Sequence, residues 1–549
     1  MVSSFDIFDT CLVRKCGTPE NVFLVLAKNI LPMATEQEIL LFVNIRINAE
    51  IKARQSINAE DITLDKIYEH ADFSALTSLS REDLCSMEIS TEMALWSPVY
   101  ETQRIIESKR QRGDKIIFIS DMYLPSACIK EWLRDNAIMQ NGDALFVSGE
   151  IGYTKKTGHL YEYIAKELAL PFKHWTHYGD YKLSDYIIPK KYRIHANLVA
   201  ISHSPYQNKW IESSYNTKYQ FASLCAGISR AICASYPKSP NVDFAADIIA
   251  PLLCTFVFRV MCNAQNENIT SLFFASRDAK ILHHIANELK PLFPNIQNLT
   301  YFFISRDAIK YSQKDDIIRY YKEIGLAQKN NKVGIVDTGS SGNSGCTFQL
   351  INSILSEYQY STAKGYFFHY EHVNDTTIYS EVSACPLMYL SPKKFADLQM
   401  INSTLLEGFF TITMDRSLKS YTKEGIKFKA NDNLSLTDRE EISSLHFKIC
   451  ERWIKYAMEC GLLNYLNNVF DTIALPTLLE FWNHPSPHYV LALNGYKIDG
   501  KDYISRISIL NFVGLIFGIK TSKYLIWKEG SFTLSRWGEI IQYIKNKRK

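Results

Sequence analysis

The first ten residues contain two carboxylates and a threonine at a spacing that suits nucleophilic chemistry. The short apolar run from Val2 to Phe5 leads to Asp6, with Asp9 at plus three and Thr10 at plus four. Such a run predicts a β-strand that delivers Asp6 to the carboxyl end of a sheet, where a carboxylate can attack an electrophile. The structural alternative is that Asp6 and Asp9 only cap a helix.

Three later strand-like runs are each followed by polar side chains. In chain order these are Ser120 after residues 116–119, Lys155 within residues 152–158, and Asp180 and Asp185 after residues 177–179. A phosphate monoester is polyanionic, so a carboxylate can attack its phosphorus only where a cation and fixed donors offset the repulsion. The four stretches together supply a nucleophile, donors and further acids.

In this order the four stretches resemble the haloacid dehalogenase (HAD) superfamily, over residues 1–200. The resemblance implies an α/β, Rossmann-like parallel sheet and a set of roles: Asp6 as nucleophile, Ser120 and Lys155 as phosphate clamps, and Mg²⁺ held by Asp6 and Asp180, with Asp185 a direct ligand or reached through water. Lys155 is preferred over Lys156 because the family's motif usually sets its lysine six residues before an aromatic, here Tyr161.

The first stretch departs from the phosphatase pattern at one position. HAD phosphatases usually place a second Asp at plus two as general acid and base, whereas this chain has Phe8 there and Asp9 at plus three. Asp9 is therefore the candidate proton donor. Because the dehalogenase branch also lacks the plus-two Asp, the motif alone leaves phosphatase and C–halogen hydrolase both open.

Residues 16–114 separate the first two motifs and contain helical patterns such as residues 36–51. An insert at this point matches the helical cap that HAD enzymes carry, which would exclude water and screen substrates. Residues 206–218 are polar and are interpreted as a linker to the next domain.

The composition is that of a globular protein of several domains. The chain has 549 residues, 46% of them hydrophobic, and 61 basic against 58 acidic residues, a balance that gives no indication of nucleic-acid binding. Twelve cysteines occur without a C-x-x-C pair, and no signal peptide is recognised, so the expected localisation is cytoplasmic. The basic residues 545–549 leave peripheral contact with the inner face of the membrane open.

A second alternation of strand and helix patterns begins after residue 240. The tetrapeptide Ser-Arg-Asp-Ala follows two successive strand-like runs, at residues 276–279 and 305–308. A third run, residues 333–336, leads into a turn rich in glycine and hydroxyl residues, residues 337–345, whose backbone N–H groups could hold a phosphate. Strands that end in polar loops opening helices predict a second parallel sheet.

This turn is similar to the 5-phosphate loop of type I phosphoribosyltransferases, which bind phosphoribosyl pyrophosphate (PRPP). The match is partial, because those enzymes usually have two adjacent acids and this turn has only Asp337. The resemblance implies a substrate-binding set: Arg277, Asp278, Arg306, Asp307, Asp337, Thr338, Gly339, Ser340, Ser341, Gly342, Asn343 and Ser344. The alternatives are that Ser-Arg-Asp only caps helices and that the turn binds no ligand.

The sequence thus predicts three domains: 1–200 HAD-like phosphatase, 219–391 phosphoribosyltransferase-like, and a mainly helical 392–549 that would bind the acceptor. This combination resembles bifunctional ribofuranosyltransferases of bacterial capsule and O-antigen assembly, which implies transfer of ribose 5-phosphate from PRPP to a glycan or lipid-linked acceptor, then removal of the phosphate. The competing predictions are a stand-alone Mg²⁺-dependent HAD phosphatase of a sugar phosphate or nucleotide with a C-terminal scaffold, and a non-catalytic binder of phosphorylated ligands.

Overall fold

A computed structural model gives the structure of the chain. It describes residues 1–57, 59–199, 201–215, 220–340, 346–370, 397, 400–429, 436–494, 497–498, 501–502, 504 and 527–535. The chain divides into two compact units: Met1–Ser239 with Lys455–Asn464, and Pro240–Ile454 with Tyr465–Lys549. The three-domain assignment made from the sequence stays a prediction.

The first unit is built around a parallel sheet. Its strands are β1 (Val2–Asp6), β2 (Leu12–Arg14), β3 (Trp96–Pro98), β4 (Lys115–Ser120), β5 (Ala144–Val147), β6 (Trp175–Gly179) and β7 (His195–Leu198). Five of them pair in parallel in the order β5, β4, β1, β6, β7, while β2 and β3 form a separate antiparallel pair. Strand β1 is central and all five of its residues are buried. Its two serines are hydrogen-bonded, Ser3 to Asp114 and Ser4 to His177, as buried polar groups must be. The predicted parallel sheet is confirmed.

Eleven α-helices surround these strands within the described part of the first unit. They are α1 (Asn21–Ile30), α2 (Glu36–Ser56), α3 (Leu64–Tyr68), α4 (Arg81–Leu95), α5 (Tyr100–Gln111), α6 (Ser126–Asp135), α7 (Ser148–Ile151), α8 (His159–Glu167), α9 (Ile188–Lys191), α10 (Pro205–Ser214) and α11 (Phe221–Ala234). A 3₁₀ turn, Phe172–His174, and a π-helical turn, Lys182–Ile187, complete the unit.

The insert between β2 and β3 is helical and consists of α1 to α4, whereas the rest of the predicted insert, residues 96–114, contains β3 and α5. A fully buried ion pair lies in its core: Arg46 Nε and Nη2 donate to Glu88 at 2.7 and 2.8 Å, and Tyr68 donates to the same carboxylate at 2.8 Å. A buried charge is tolerated only when it is paired and hydrogen-bonded. This ion pair therefore joins α2, α3 and α4, and buried apolar residues of the insert share one hydrophobic cluster with the sheet.

The segment predicted as a linker, residues 206–218, is instead helical as far as Ser214. Ser204 caps α10 in a capping box with Gln207, and Pro205 occupies the first helical turn. Both features favour helix initiation. Trp210 is buried, and α10 packs against α11. The polar character of the segment thus belongs to the outer face of an amphipathic helix.

The second unit contains a second parallel sheet. Its strands are β8 (Ser271–Ala275), β9 (Asn298–Phe302), β10 (Gly334–Ser340), β11 (Lys364–Tyr370), β12 (Leu418–Thr422), β13 (Gly425–Phe428), β14 (Lys497–Ile498) and β15 (Lys501–Asp502). The first four pair in parallel in the order β11, β10, β8, β9, and the others form two antiparallel pairs. The prediction of a second parallel sheet is confirmed.

Strand β10 is longer than the sequence predicted. The phosphate-binding turn was expected to begin at Asp337, but β10 continues to Ser340 because β11 pairs with it along this length, with Asp337 beside Phe367 and Gly339 beside His369. The pairing of β10 with β8 ends earlier, at Val336. Residues 337–340 are therefore strand residues, whereas Ser341, Gly342, Asn343 and Ser344 lie outside the described residues.

The described helices of the second unit are α12 (Pro240–Phe244), α13 (Ala250–Asn266), α14 (Lys280–Leu289), α15 (Arg306–Tyr311), α16 (Lys314–Glu323), α17 (Thr347–Glu357), α18 (Leu436–Glu459, whose last turn belongs to the first unit), α19 (Leu466–Val469), α20 (Leu475–Asn483), α21 (Pro487–Val490) and α22 (Lys528–Leu534). Shorter turns are π-helical at Ala245–Ile249, Asn402–Phe410 and Phe470–Ala474, and 3₁₀-helical at Lys290–Leu292, Leu463–Tyr465 and Leu491–Leu493.

One helical stretch in the described part of the chain, Pro240–Asn266, is long and apolar enough to cross a membrane by length and composition alone. Its most apolar window has a mean hydropathy of 1.8 and is 89% buried inside the protein. The core helix of a folded domain has this degree of burial.

His446 is a buried titratable residue of α18. Its Nδ1 lies 3.3 Å from the carbonyl oxygen of Phe410, and its ring packs edge-on against Phe409 at 5.4 Å. Nε2 is buried without a hydrogen-bond partner. Burial lowers the pKa of His446 from 6.5 to about 4, although the bond to Phe410 opposes the shift. The imidazole is therefore neutral in the folded protein at neutral pH.

Because of His446, we expect the free energy of unfolding to decrease as the pH is lowered. Below 6.5 the unfolded chain binds a proton that the folded chain does not accept until about pH 4, so stability is complete above pH 6.5 and is lost on acidification. Between pH 7 and pH 5 the loss is about 2 kcal/mol. Unfolding of the wild type and of His446→Gln and His446→Phe, at both pH values, measures it. An equal pH dependence in all three proteins would contradict the assignment.

Candidate active site

Parallel pairing places three predicted residues at one edge of the five-stranded sheet. Asp6 is the last residue of β1, Ser120 is the last of β4, and Asp180 follows β6. Asp6 pairs in register with Ile119, so Ser120 lies one position beyond it on the neighbouring strand. Asp6 and Ser120 are buried and Asp180 is half-buried. Ligands of open parallel sheets bind at this carboxyl edge.

Lys155 joins two of the acids. Its Nζ lies 2.5 Å from Asp6 Oδ1 and 2.6 Å from Asp185 Oδ1, and its side chain is 3% exposed. The neighbouring Lys156 is exposed. Of the two lysines in the motif, Lys155 is thus the one that the structure brings to Asp6.

The crowding of charges shifts the pKa values of the whole group. Burial raises the pKa of Asp6 well above its usual range, and Asp185 and Asp180 raise it further, although Lys155 lowers it. Burial opposes ionisation of Asp185 as well, but Lys155 and a hydrogen bond from His177 hold the pKa of Asp185 below its usual range. A further cation beside Asp6 would oppose the rise of its pKa.

A buried chain of hydrogen bonds fixes Asp185. Trp175 Nε1 can only donate, and it lies 2.6 Å from Ser4 Oγ. Ser4 then donates to His177 Nδ1 at 2.6 Å, so His177 carries its proton on Nε2 and donates to Asp185 Oδ1 at 3.2 Å. The other oxygen of Asp185 accepts from the backbone N–H of Tyr181 at 3.0 Å. Both oxygens of Asp185 are engaged.

The loop that carries Lys155 is held by the helical insert. Glu60 accepts hydrogen bonds from the backbone N–H of Thr154 at 2.8 Å and from Thr157 Oγ1 at 2.6 Å, and it also pairs with His159. The backbone N–H of Lys155 donates to Asp121 Oδ1 at 2.9 Å. The insert therefore helps to set the position of Lys155.

The acids have the geometry and chemistry of a metal site. Ligand oxygens of Asp6, Asp180 and Asp185 all lie within 4.8 Å of one another, the one such group of three or more His, Cys, Asp and Glu side chains in the described part of the chain. Lys155 donates a hydrogen bond to Oδ1 of Asp6. Thr10 Oγ1 lies 3.4 Å from Asp6 Oδ2 and 3.5 Å from Asp180 Oδ1. Carboxylate oxygens without His or Cys suit a hard cation such as Mg²⁺. Since Asp185 already accepts three hydrogen bonds, Asp6 and Asp180 are the better direct ligands.

The turn after Asp6 differs from the predicted arrangement. Phe8, at plus two, packs edge-on against Trp96 at 5.4 Å with the guanidinium of Arg14 4.4 Å above its ring. Asp9, the predicted proton donor, pairs with Arg230 of α11 at 2.8 Å. The sequence reasoning missed Arg230. Its signal was a single charged residue within the otherwise uncharged residues 221–234.

The substrate-binding residues predicted in the second unit are only partly brought together. Asp278 and Asp337 lie close enough to affect each other: burial raises the pKa of Asp278 to about 7, and burial and the charge of Asp278 raise the pKa of Asp337. Arg277 is exposed and donates to Ser417 at 2.9 Å. Asp307 pairs with Lys429 at 2.9 Å, and Arg306 begins α15.

No protein-family model matches the chain, and no curated protein matches it. Solved structures are similar to its N-terminal part. A dehalogenase with an intermediate complex is 11% identical with a TM-score of 0.26, over 37% of this chain and 85% of that chain. A HAD-family enzyme from Bacteroides thetaiotaomicron, in complex with magnesium and inorganic phosphate, is 11% identical with a TM-score of 0.25, over 36% and 92%. A HAD-family hydrolase from Deinococcus radiodurans R1, with bound phosphate and sodium, is 9% identical with a TM-score of 0.21, over 35% and 76%. At these TM-scores the likenesses carry no argument about the reaction, which rests on the site itself.

We expect Lys155→Met to destabilise the first unit when metal is removed with EDTA. Two buried carboxylates then lose their ammonium partner, a change that costs about 3–5 kcal/mol when a buried pair is broken. Lys156→Met, at the adjacent exposed lysine, is the matched control and should stay within about 0.5 kcal/mol of the wild type. Denaturant unfolding measures both. Added Mg²⁺ should stabilise Lys155→Met more than the control, and equal unfolding of the two variants would contradict the assignment.

Proposed function

We propose that the first unit hydrolyses a phosphate monoester through a phosphorylated Asp6. The observation that supports this most is the buried group of Asp6, Asp180 and Asp185 with Lys155 bonded to two of its members. An anionic nucleophile that must approach an anionic substrate needs compensating positive charge at both reactants. Lys155 and a bound cation supply that charge at this edge of the sheet.

Each residue of the site has a role in this reaction. An oxygen of Asp6 attacks phosphorus, the nucleophilic step of a covalent mechanism. Lys155 and Ser120 hold the oxygens of the phosphoryl group, and Lys155 also keeps Asp185 ionised. The chain from Trp175 through Ser4 and His177 fixes Asp185 and so fixes Lys155. Positioning of this kind lowers the barrier because the reacting groups need no rearrangement.

Asp6 and Asp180 would hold Mg²⁺, with Asp185 next to them. When bound, the ion neutralises negative charge on the phosphoryl group and on the acids. Its positive charge also favours the ionised form of Asp6, whose pKa burial otherwise raises. The helical insert, α1 to α4, would act as the cap that limits access of water and substrate, and Glu60 links it to the loop of Lys155.

The bifunctional prediction has no support among these observations. The 5-phosphate turn lies largely outside the described residues, and Asp337 and Thr338 belong to a strand. Hydrolysis of a phosphate monoester, the alternative reading of the sequence, accounts for the site without a second activity. C–halogen hydrolysis is a second candidate, because Phe8 replaces the plus-two acid and Asp6 remains a nucleophile. A carbon–halogen bond does not need the cation that three clustered acids suit.

We expect Asp6→Asn to abolish release of phosphate from p-nitrophenyl phosphate in the presence of Mg²⁺, because the amide has the shape of the carboxylate but cannot attack phosphorus. Asp114→Asn is the matched control. Asp114 lies just before β4, at the opposite edge of the sheet, where Ser3 donates to it at 2.7 Å. This variant should keep wild-type turnover.

EDTA should stop turnover by the wild-type protein, and Mg²⁺ should restore it. Halide release from 2-haloacids, measured in parallel, tests the second candidate. Phosphate release by Asp6→Asn at the wild-type rate would rule out Asp6 as the nucleophile. Halide release that depends on Asp6 and survives EDTA, with no phosphate release, would replace the proposed function by C–halogen hydrolysis.

A further inference from the structure

Arg230 joins a helix outside the sheet to the turn that follows the nucleophile. Its side chain is 10% exposed, its Nη2 lies 2.8 Å from Asp9 Oδ1, and the same nitrogen donates to the carbonyl oxygen of Ile201 at 2.8 Å. Nε is buried without a hydrogen-bond partner. Since burying a guanidinium is costly unless it is paired, the ion pair with Asp9 and the hydrogen bond to Ile201 together compensate for the burial of Arg230.

Close packing of α11 against the N-terminal segment fixes the position of Arg230 relative to Asp9. A Cβ atom on Gly227 would lie 2.2 Å from backbone atoms of Cys16, so only glycine allows the helix to approach so closely. Arg230 is three residues further along and lies on the same helical face. Ser223, one turn before Gly227, donates to Asn21 at 2.5 Å. Contacts on both sides of Gly227 thus hold α11 in place, so the backbone position from which the Arg230 side chain extends is fixed.

Asp9 itself is held by its backbone. It adopts φ of 57°, the left-handed region that costs a non-glycine residue about 1–3 kcal/mol. The turn is closed by the carbonyl oxygen of Ile7, which accepts from the backbone N–H groups of Cys11 at 2.8 Å and Leu12 at 3.0 Å. After burial, the charge of Asp9 is the next largest cause that raises the pKa of Asp180. Asp9 therefore lies within electrostatic range of the acids that would hold the metal.

His203 is another titratable residue near Asp9 and Arg230, and it adds no positive charge beside Asp9 at neutral pH. Burial, together with the charge of Arg230, lowers the pKa of His203 to about 4. At neutral pH this imidazole is uncharged, and the positive charge facing Asp9 comes from Arg230. In its contact with the guanidinium, Asp9 is the hydrogen-bond acceptor and Arg230 the donor.

We propose that Arg230 is a positioning residue that holds the Asp9 carboxylate as a hydrogen-bond acceptor, and that Asp9 is the base of the second half-reaction rather than the acid of the first. This inference rests on the proposed phosphatase function. In the first half an oxygen of Asp6 bonds to phosphorus, and the leaving oxygen departs with the electron pair of its P–O bond. In the second half Asp9 takes a proton from water, the water oxygen bonds to phosphorus, and the P–O bond to Asp6 breaks with its electron pair returning to the carboxylate.

The same arrangement limits the class of substrate. The plus-two position holds Phe8, whose ring packs against Trp96, so it offers no proton to the leaving oxygen. With Asp9 engaged by Arg230 as an acceptor, neither Phe8 nor Asp9 supplies a proton to the leaving oxygen. Substrates whose leaving oxygen is stable as an anion, such as acyl and aryl phosphates, fit this site, and simple alkyl phosphates do not. The value of kcat/KM should therefore rise steeply with the acidity of the leaving group across a series of aryl phosphates.

Rapid-mixing kinetics of the full-length protein with p-nitrophenyl phosphate and Mg²⁺ test the proposal. In Asp9→Asn we expect a burst of nitrophenolate, one equivalent per enzyme, followed by turnover slower by about 10²–10⁴-fold, because only the second half-reaction loses its base. Arg230→Met should give the same burst with turnover slower by about 10–100-fold, since Asp9 is present but misplaced. Arg230→Lys should recover part of the turnover. Arg134→Met, at an exposed arginine of α6, is the control and should match the wild type.

Several results would overturn the proposal. Loss of turnover without a burst, together with a steeper dependence on the leaving group, would make Asp9 the acid of the first half. A proportional fall of both half-reactions in Arg230→Met, without a burst, would give Arg230 a purely structural role. Equal kcat/KM for alkyl and aryl phosphates would contradict the proposed preference for acyl and aryl phosphates. In each case an inactive Asp6→Asn would leave the proposed function standing, whereas an active Asp6→Asn would end both.

Discussion

The ammonium of Lys155, bonded to Asp6 and Asp185, is the interaction on which the rest of the site depends. Acids buried this close together repel one another, and their ionised forms are stable only when positive charge lies among them. One buried lysine offsets part of this repulsion, while burial, with the charges of Asp185 and Asp180, raises the pKa of Asp6. A site with three acids and one lysine lacks positive charge and therefore favours a cation. A cation together with a nucleophilic carboxylate suits a phosphoryl group.

Much of this site could be predicted from the sequence because its parts follow strands. A buried parallel strand is a run of apolar residues, and the polar residue that ends it is exposed to the edge where ligands bind. Asp6, Ser120 and Asp180 were found in this way, and the structure places them at one edge. Lys155 came from a motif rather than a strand. Glu60 and Asp121, which hold its loop, had no local signal at all.

What the sequence did not reveal depends on contacts between distant segments. Asp9 looked free to donate a proton because its partner, Arg230, lies far along the chain on α11. Residues 206–218 looked like a linker because polar residues outnumber the buried Trp210 and its neighbours. The turn at Asp337 looked like a loop because aspartate and glycine are depleted in strands, yet the pairing with β11 extends the strand to Ser340. In each case the structure depends on a contact with residues outside the local segment.

The most direct measurement of the central claim is the chemical identity of the reaction intermediate. The full-length protein with Mg²⁺ would be mixed with an aryl phosphate and quenched in acid within one turnover, and its peptides would be analysed by mass spectrometry. The account predicts an acid-stable, hydroxylamine-sensitive phosphoryl group on the N-terminal peptide, at Asp6. A protein that turns over the substrate with no phosphorylated peptide, or with the phosphoryl group on another residue, would contradict it.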